Sequence, residues 1–151
     1  MTAMIPTLDL TKNYGRIREE IGKAIQSVLD SQQFIMGPDV GAFENECSAY
    51  LDGIPAIACA SGTDALVLAL MALGIKEGDE VITTPYSFFA TVSCITRLGA
   101  VPVFVDVDPG TFNIDPLKAL EAVTPRTKAF LPVHIFGQMT PLETVMDEFK
   151  S

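Results

Sequence analysis

Between Arg16 and Leu29 the apolar residues Ile17, Ile21, Ala24, Ile25 and Val28 recur at helical spacing, with Arg18, Glu19, Lys23 and Gln26 opposite. The pattern predicts an amphipathic helix docked by one face on a larger body. Gly22 in its middle costs roughly 1 kcal/mol against alanine, which close packing would explain. Residues 1–15, broken by Pro6 and Gly15, are expected to form an irregular arm or short strand. A second helix is expected from about Asp39, with Val40, Phe43, Cys47, Tyr50 and Leu51 on one face and Glu44 and Glu46 outside. The turn between them carries Phe34-Ile35-Met36 before Gly37-Pro38. Large apolar residues in a loop need a cover, whether the same domain, a neighbouring subunit or a ligand.

After Gly53 the period changes to strand and helix in alternation. Pro55 to Ala60 reads as a short buried strand, followed by a turn at Ser61-Gly62-Thr63 and an apolar helix through Leu73 that Gly74 closes. Glu80 to Thr84 is the second strand, and a helix with Val92, Ile95 and Leu98 runs to Gly99. Val101 to Val107 is a continuous apolar run of the kind buried on both faces. Asp115-Pro116 opens a helix with a cap and an N1 proline, reaching about Val123. Lys128 to Ile135 is the fourth strand, and Pro141 to Lys150 begins another helix. Strands at intervals of roughly 25 residues, each followed by a helix, predict an α/β protein with a mainly parallel sheet and flanking helices. Residues 1–52 are expected to form an arm and two helices, and residues 53–151 the alternating part. The chain ends inside a helix pattern without cap or breaker, as the front part of a longer polypeptide would.

Composition narrows the partners. The chain of 151 residues is 48% hydrophobic and 19% charged, an apolar balance that suggests surface meeting another chain or segment. A net charge of −9 with scattered Lys and Arg argues against nucleic acid and anionic membranes. Any phosphate is then held by backbone and hydroxyl groups. Cys47, Cys59 and Cys94 are widely spaced among apolar neighbours, as in a reduced, cytoplasmic protein. No metal-ligand spacing is present, and no apolar run is long enough to span a bilayer.

Candidate chemistry gathers at the strand ends. Ser61 and Asp64 have capping-box spacing, with Asp in place of Glu or Gln, which leaves the N–H groups of Gly62 and Thr63 as an anion site or simply as a capped helix start. Neither GxGxxG nor GxxxxGK[ST] occurs, which removes the main support for a dinucleotide fold or a P-loop. Phe88-Phe89 stands at the next strand end, where a ring could stack on a planar ligand or belong to the core. Asp106 and Asp108 read as turn-forming carboxylates before Pro109, and His134 as a structural strand-end residue.

Taken together, Ser61-Gly62-Thr63-Asp64-Ala65-Leu66, Glu77-Gly78-Asp79-Glu80-Val81-Ile82-Thr83, Pro85-Tyr86-Ser87-Phe88-Phe89-Ala90-Thr91 and Gly99-Ala100-Val101-Pro102-Val103-Phe104-Val105-Asp106 resemble the DegT/DnrJ/EryC1/StrS family. Thr124-Pro125-Arg126-Thr127-Lys128-Ala129, Phe34-Ile35-Met36-Gly37-Pro38 and His134-Ile135-Phe136-Gly137-Gln138 match as well. The resemblance implies the front part of the large domain of a fold type I transferase dependent on pyridoxal 5'-phosphate. The implied activity is transfer of an amino group from glutamate to a nucleotide-linked keto-sugar. It implies that Gly62 and Thr63 hold the cofactor phosphate and that Phe88, or Phe89 if the alignment slips by one, stacks on the pyridine ring. Met36 and Gly37 would touch the nucleotide-sugar substrate, and a homodimer is implied for the full-length protein.

The departure from the family lies in what comes later. In relatives the Schiff-base lysine and the aspartate that pairs with the pyridine nitrogen both follow the segment seen here. None of Lys12, Lys23, Lys76, Lys118, Lys128 and Lys150 occupies that motif, so no catalytic residue is assigned and the chain alone is expected to be inactive. A dehydratase of the same fold, with histidine replacing the lysine, and a non-catalytic regulatory protein stay open as alternatives.

Overall fold

A computed structural model describes residues 6–147. The chain divides after Ala58 into two compact units, Met1–Ala58 and Cys59–Ser151, each considered by itself.

The first unit holds two helices, α1 (Thr11–Ser31) and α2 (Pro38–Tyr50). Helix α1 begins earlier than its apolar periodicity predicts. The Asp9 carboxylate accepts from the Thr11 N–H at 2.9 Å and from its hydroxyl at 2.6 Å, satisfying a first-turn donor and starting the helix before Gly15. The expected irregular arm is therefore helical from residue 11. Of the expected stripe, Ile17, Ile21 and Ile25 are still exposed within the described residues. Helix α2 starts at Pro38 in the N1 position, one residue before the expected Asp39. Its outward residues depart from expectation in one respect. The Glu44 carboxylate is engaged, accepting from the Ala58 N–H at 2.7 Å.

That contact bears on the first expected strand. Pro55–Ala60 is not a strand; Ile57 in its middle is 84% exposed. The backbone donor at Ala58 goes to a side chain of α2 instead of a neighbouring strand, and pairing of that kind is not encoded locally.

In the second unit, three parallel strands are ordered β2 (Val101–Phe104), β1 (Glu80–Thr83), β3 (Thr127–Phe130). Around them lie α3 (Gly62–Ala72), α4 (Phe89–Thr96) and α5 (Pro116–Glu121). The central strand is buried throughout, and its alternating side chains feed two cores. Val81 packs with Leu70, Ile75, Cys94, Ile95 and Ala100, the layer under α3 and α4. Ile82 packs with Val105, Ile114 and Ala119, the layer under α5. The result is a helix–sheet–helix sandwich of the expected α/β type. Burial raises the pKa of the Cys94 thiol, consistent with a packing role.

The run Val101–Val107 departs from expectation. Only Val101–Phe104 is strand, and it lies at the sheet edge with Val101 and Phe104 half exposed. Its two middle residues are half-buried and its two ends exposed, so neither face is fully covered. Strand β3 is likewise shorter than Lys128–Ile135, because after Leu131 donates to Ile82 O at 2.8 Å the next residue, Pro132, has no N–H to continue the ladder. The helix expected from Pro141 is a 3-10 turn at Leu142–Thr144, and its remainder beyond Asp147 lies outside the described residues.

Local signals held where their partners are local. Gly74 takes φ +74 and closes α3, with Ile75 N–H donating to Leu70 O at 3.1 Å. Asp115 caps α5, its carboxylate accepting from Leu117 and Lys118 N–H.

At the start of β1, the Glu80 side chain is 5% exposed and accepts from the Thr124 hydroxyl and from the Arg126 guanidinium. The Thr124 hydroxyl first, then Arg126, holds the Glu80 pKa below the ordinary glutamate value. A lowered carboxyl pKa adds stability above the unfolded value of about 4.3 and loses it as pH falls through the folded value. Glu80→Gln is therefore expected to be less stable than wild type at pH 7, with the two urea unfolding curves converging as pH falls below about 4.3. A gap that stays constant with pH would show that the ionised form is not what stabilises.

Candidate active site

The carboxyl edge of β1 collects the candidate residues of the second unit. Helix α3 leads into β1 through the turn 73–79, and α4 leaves β1 through the loop 84–88. Both helices therefore run against the strand, which puts both amino ends at its carboxyl edge, where open α/β sheets bind ligands.

At the start of α3, Ser61 is the N-cap, its hydroxyl oxygen accepting from the Asp64 N–H at 3.1 Å. The same hydroxyl donates to Asp64 Oδ2 at 2.9 Å. Asp64 is one methylene shorter than the usual Glu, so the carboxylate closes on the cap hydroxyl instead of the cap backbone N–H. The Ala65 N–H goes to Ser61 O at 2.9 Å. Gly62 and Thr63 are left with N–H groups that have no acceptor among the described residues. A Cβ built on Gly62 would meet nothing within 4 Å, so the space over these donors is open. Two free N–H groups, the half-buried Thr63 with its hydroxyl and the positive end of an 11-residue helix fit a phosphate.

Phe88 is the N-cap residue of α4, with φ −69 and ψ 148, and its ring is 77% exposed. Phe89, the first helical residue, is equally exposed. Neither ring belongs to the core, although a core position was the plain alternative for both.

Met36 and Gly37 belong to the first unit. Met36 has φ +50 and is 79% exposed, beside Ile35 at 88%. A Cβ at Gly37 would sit 2.6 Å from the Gln33 carbonyl oxygen, so this turn requires glycine on steric grounds alone. A cavity of about 470 Å³ beside it is lined by Ala24, Ile25, Val28, Leu29, Phe34 and Asp39.

Asp108 and His134, two of the remaining polar candidates, make local hydrogen bonds. Asp108 Oδ1 accepts from the N–H groups of Gly110 and Thr111, and these bonds, Thr111 foremost, hold its pKa down. His134 Nδ1 accepts from the Thr140 N–H at 3.0 Å. Among the described residues no cluster of His, Cys, Asp and Glu has metal-site geometry, and no helix is long and apolar enough to cross a membrane. One group escaped the sequence reading. Tyr86, Phe112 and Phe136 form a ring cluster on this edge, with centroids 5.8 to 6.4 Å apart. The only sequence signal was an aromatic residue after each strand.

The profile of the DegT/DnrJ/EryC1/StrS aminotransferase family matches residues 15–149. The chain belongs to this family. Among curated relatives, it is 47% identical over 141 residues to the pleiotropic regulatory protein of Geobacillus stearothermophilus, covering 93% of this chain and 38% of the relative. It is 43% identical over 142 residues to the UDP-2-acetamido-2-deoxy-3-oxo-D-glucuronate aminotransferase of Pseudomonas aeruginosa, covering 94% of this chain and 40% of that protein. In structure it resembles S. venezuelae DesV, solved with a ketimine intermediate, at a TM-score of 0.91 and 40% identity over 97% of this chain and 39% of that one. The chain thus spans about two-fifths of the length of these relatives. The family depends on pyridoxal phosphate, and solved members hold that cofactor or its pyridoxamine form.

Two substitutions test the local geometry. Ser61→Ala is expected to lower stability by about 1 kcal/mol in urea unfolding, the usual cost of losing an N-cap. Gly37→Ala is expected to cost about 1–3 kcal/mol, as overpacking does. Unchanged unfolding midpoints would contradict the cap and the close approach respectively.

Proposed function

We propose that this chain carries the cofactor-phosphate end of a pyridoxal-phosphate-dependent aminotransferase acting on a nucleotide-linked keto-sugar, with glutamate as amino donor. The observation that carries the reading is the start of α3, where two unpaired N–H groups and an open approach at Gly62 coincide with the family match. Family relatives named as UDP- and dTDP-sugar aminotransferases support the substrate class.

When bound, the cofactor supplies an electron sink for amino-group exchange. The chain's own residues do the rest of what is proposed. Gly62 and Thr63 donate backbone N–H bonds to the phosphate, and the Thr63 hydroxyl adds a third donor. The Ser61 hydroxyl is occupied by Asp64 and keeps the first turn in shape. Phe88 covers one face of the pyridine ring and excludes water from it. Met36 and Gly37 contact the nucleotide sugar. Residues 1–52 act as arm and helices, residues 53–151 as part of the cofactor domain, and the assembled enzyme is a cytoplasmic homodimer that binds neither nucleic acid nor membrane. The reactive lysine lies outside the 151 residues, so this polypeptide alone transfers no amino group.

The name of the Geobacillus relative favours a second reading, a regulatory protein without catalysis. Incubation with ¹⁵N-glutamate, pyridoxal phosphate and UDP- or dTDP-linked keto-sugars, read by mass spectrometry, is expected to give no amino-sugar from this chain and labelled amino-sugar from the product of the whole gene. Labelled product from the chain alone would overturn the placement of the lysine, and none from the whole product would favour the regulatory reading. In equilibrium dialysis Thr63→Val is expected to weaken pyridoxal phosphate binding about tenfold, the loss of one charge-assisted donor. Equal binding would remove the phosphate role.

A further inference from the structure

We infer that Phe112 and Phe136 are positioning residues for the stacking ring Phe88, acting through Tyr86; the inference rests on the pyridoxal phosphate reading above. The loops after β1, β2 and β3 each contribute one ring to a single cluster. Tyr86 lies 5.8 Å from Phe112 at an interplanar angle of 33°, and 6.4 Å from Phe136 at 71°. Phe112 and Phe136 close the triangle at 6.3 Å and 78°. These are the offset and edge-on separations at which aromatic rings attract.

Both phenylalanines occupy a backbone region that bulky residues avoid, with φ +60 at Phe112 and φ +55 at Phe136. Burial does not offset that strain, since their rings are 45% and 77% exposed. What the strained backbone achieves is to aim both rings at Tyr86. The two loops are themselves fixed to one another by Asn113, 1% exposed. Its amide nitrogen donates to Gln138 O at 3.0 Å, and its oxygen accepts from Ile135 N–H at 3.1 Å.

Tyr86 stands two residues before Phe88. The intervening Ser87 hydroxyl bonds with the Thr91 hydroxyl at 2.7 Å, and the Tyr86 N–H donates to Thr84 Oγ1 at 3.2 Å. Residues 84–88 are thereby tied to α4 at Ser87 and to the ring cluster at their midpoint, Tyr86. Phe88 has no ring partner among the described residues, and its carbonyl accepts from the Thr91 N–H at 3.1 Å, so its backbone position follows from this short loop and the first turn of α4. Loosening Tyr86 frees Phe88.

The chain contains no tryptophan, so Phe88→Trp places a single fluorophore at the stacking position. Pyridoxamine phosphate is the probe, because its retention requires no lysine. In the Phe88→Trp background, Phe136→Leu and Phe112→Leu are expected to lower the fluorescence anisotropy of the new tryptophan. They are also expected to raise the pyridoxamine phosphate concentration for half-quenching about three- to tenfold, and Phe136→Tyr restores both values. Unchanged anisotropy with an unchanged titration would overturn the inference, and so would a tyrosine variant no better than leucine. If the parent tryptophan is never quenched by pyridoxamine phosphate, the cofactor reading fails, and the anisotropy change alone then decides whether the rings position residue 88. Should Phe112→Leu melt on circular dichroism, Phe136→Leu decides, since its ring is largely exposed and little packing is lost with it.

Discussion

Complete burial of β1 on both faces is the constraint on which the second unit depends. Val81 and Ile82 are adjacent in sequence, fully buried, and members of different cores. A strand in that position must be covered above and below, which requires helices on both sides and parallel neighbours joined by helical crossovers. Its polar residues are accommodated. The Thr83 hydroxyl donates to Leu131 O at 2.8 Å, and Glu80 takes Thr124 and Arg126. Among the described residues no buried side-chain polar atom lacks a partner. The same strand delivers the loop that carries Phe88, so the packing of Val81 and Ile82 fixes where that side chain starts.

The anion end of α3 is built without a cation. The chain has nine more acidic than basic side chains, and Asp64 stands in the first turn itself. Its hydrogen bond with Ser61 draws the carboxylate to the cap hydroxyl. In the proposed phosphate site, attraction would then come from backbone dipoles and N–H groups, which act over the first turn only. Recognition of this kind is geometric, since it needs the ligand phosphate at one spot and offers little to an anion elsewhere.

The structure separates what local sequence encodes from what it does not. The Asp115-Pro116 start of α5, the Gly74 stop of α3 and the Ser61 cap were legible because each bond joins residues within about five positions. Pro55–Ala60 has a strand pattern but forms no strand, because strand formation depends on a partner and the Ala58 N–H donates to Glu44 instead. The start of α1 was set too late because Asp9 lies before the apolar stripe begins. In the candidate site, the motif around Gly62 and Thr63 is visible in the chain, and the family resemblance suggests the roles proposed for it and for Phe88. The free N–H groups and the exposure of Phe88 are facts of the fold. The ring cluster was invisible in the chain because its members come from three loops and meet only after the sheet has formed.

Pro102, in the middle of β2, has a consequence for the company this sheet keeps. Within the described sheet β2 is an outer strand, and an outer strand presents a row of amide donors on which another chain could add. Proline supplies no donor, so the row is interrupted halfway along a four-residue strand. The missing N–H costs little at this margin, whereas in β1 it would break a ladder on a fully buried strand. On this side a single imino acid weakens the template that the sheet edge offers to an added strand.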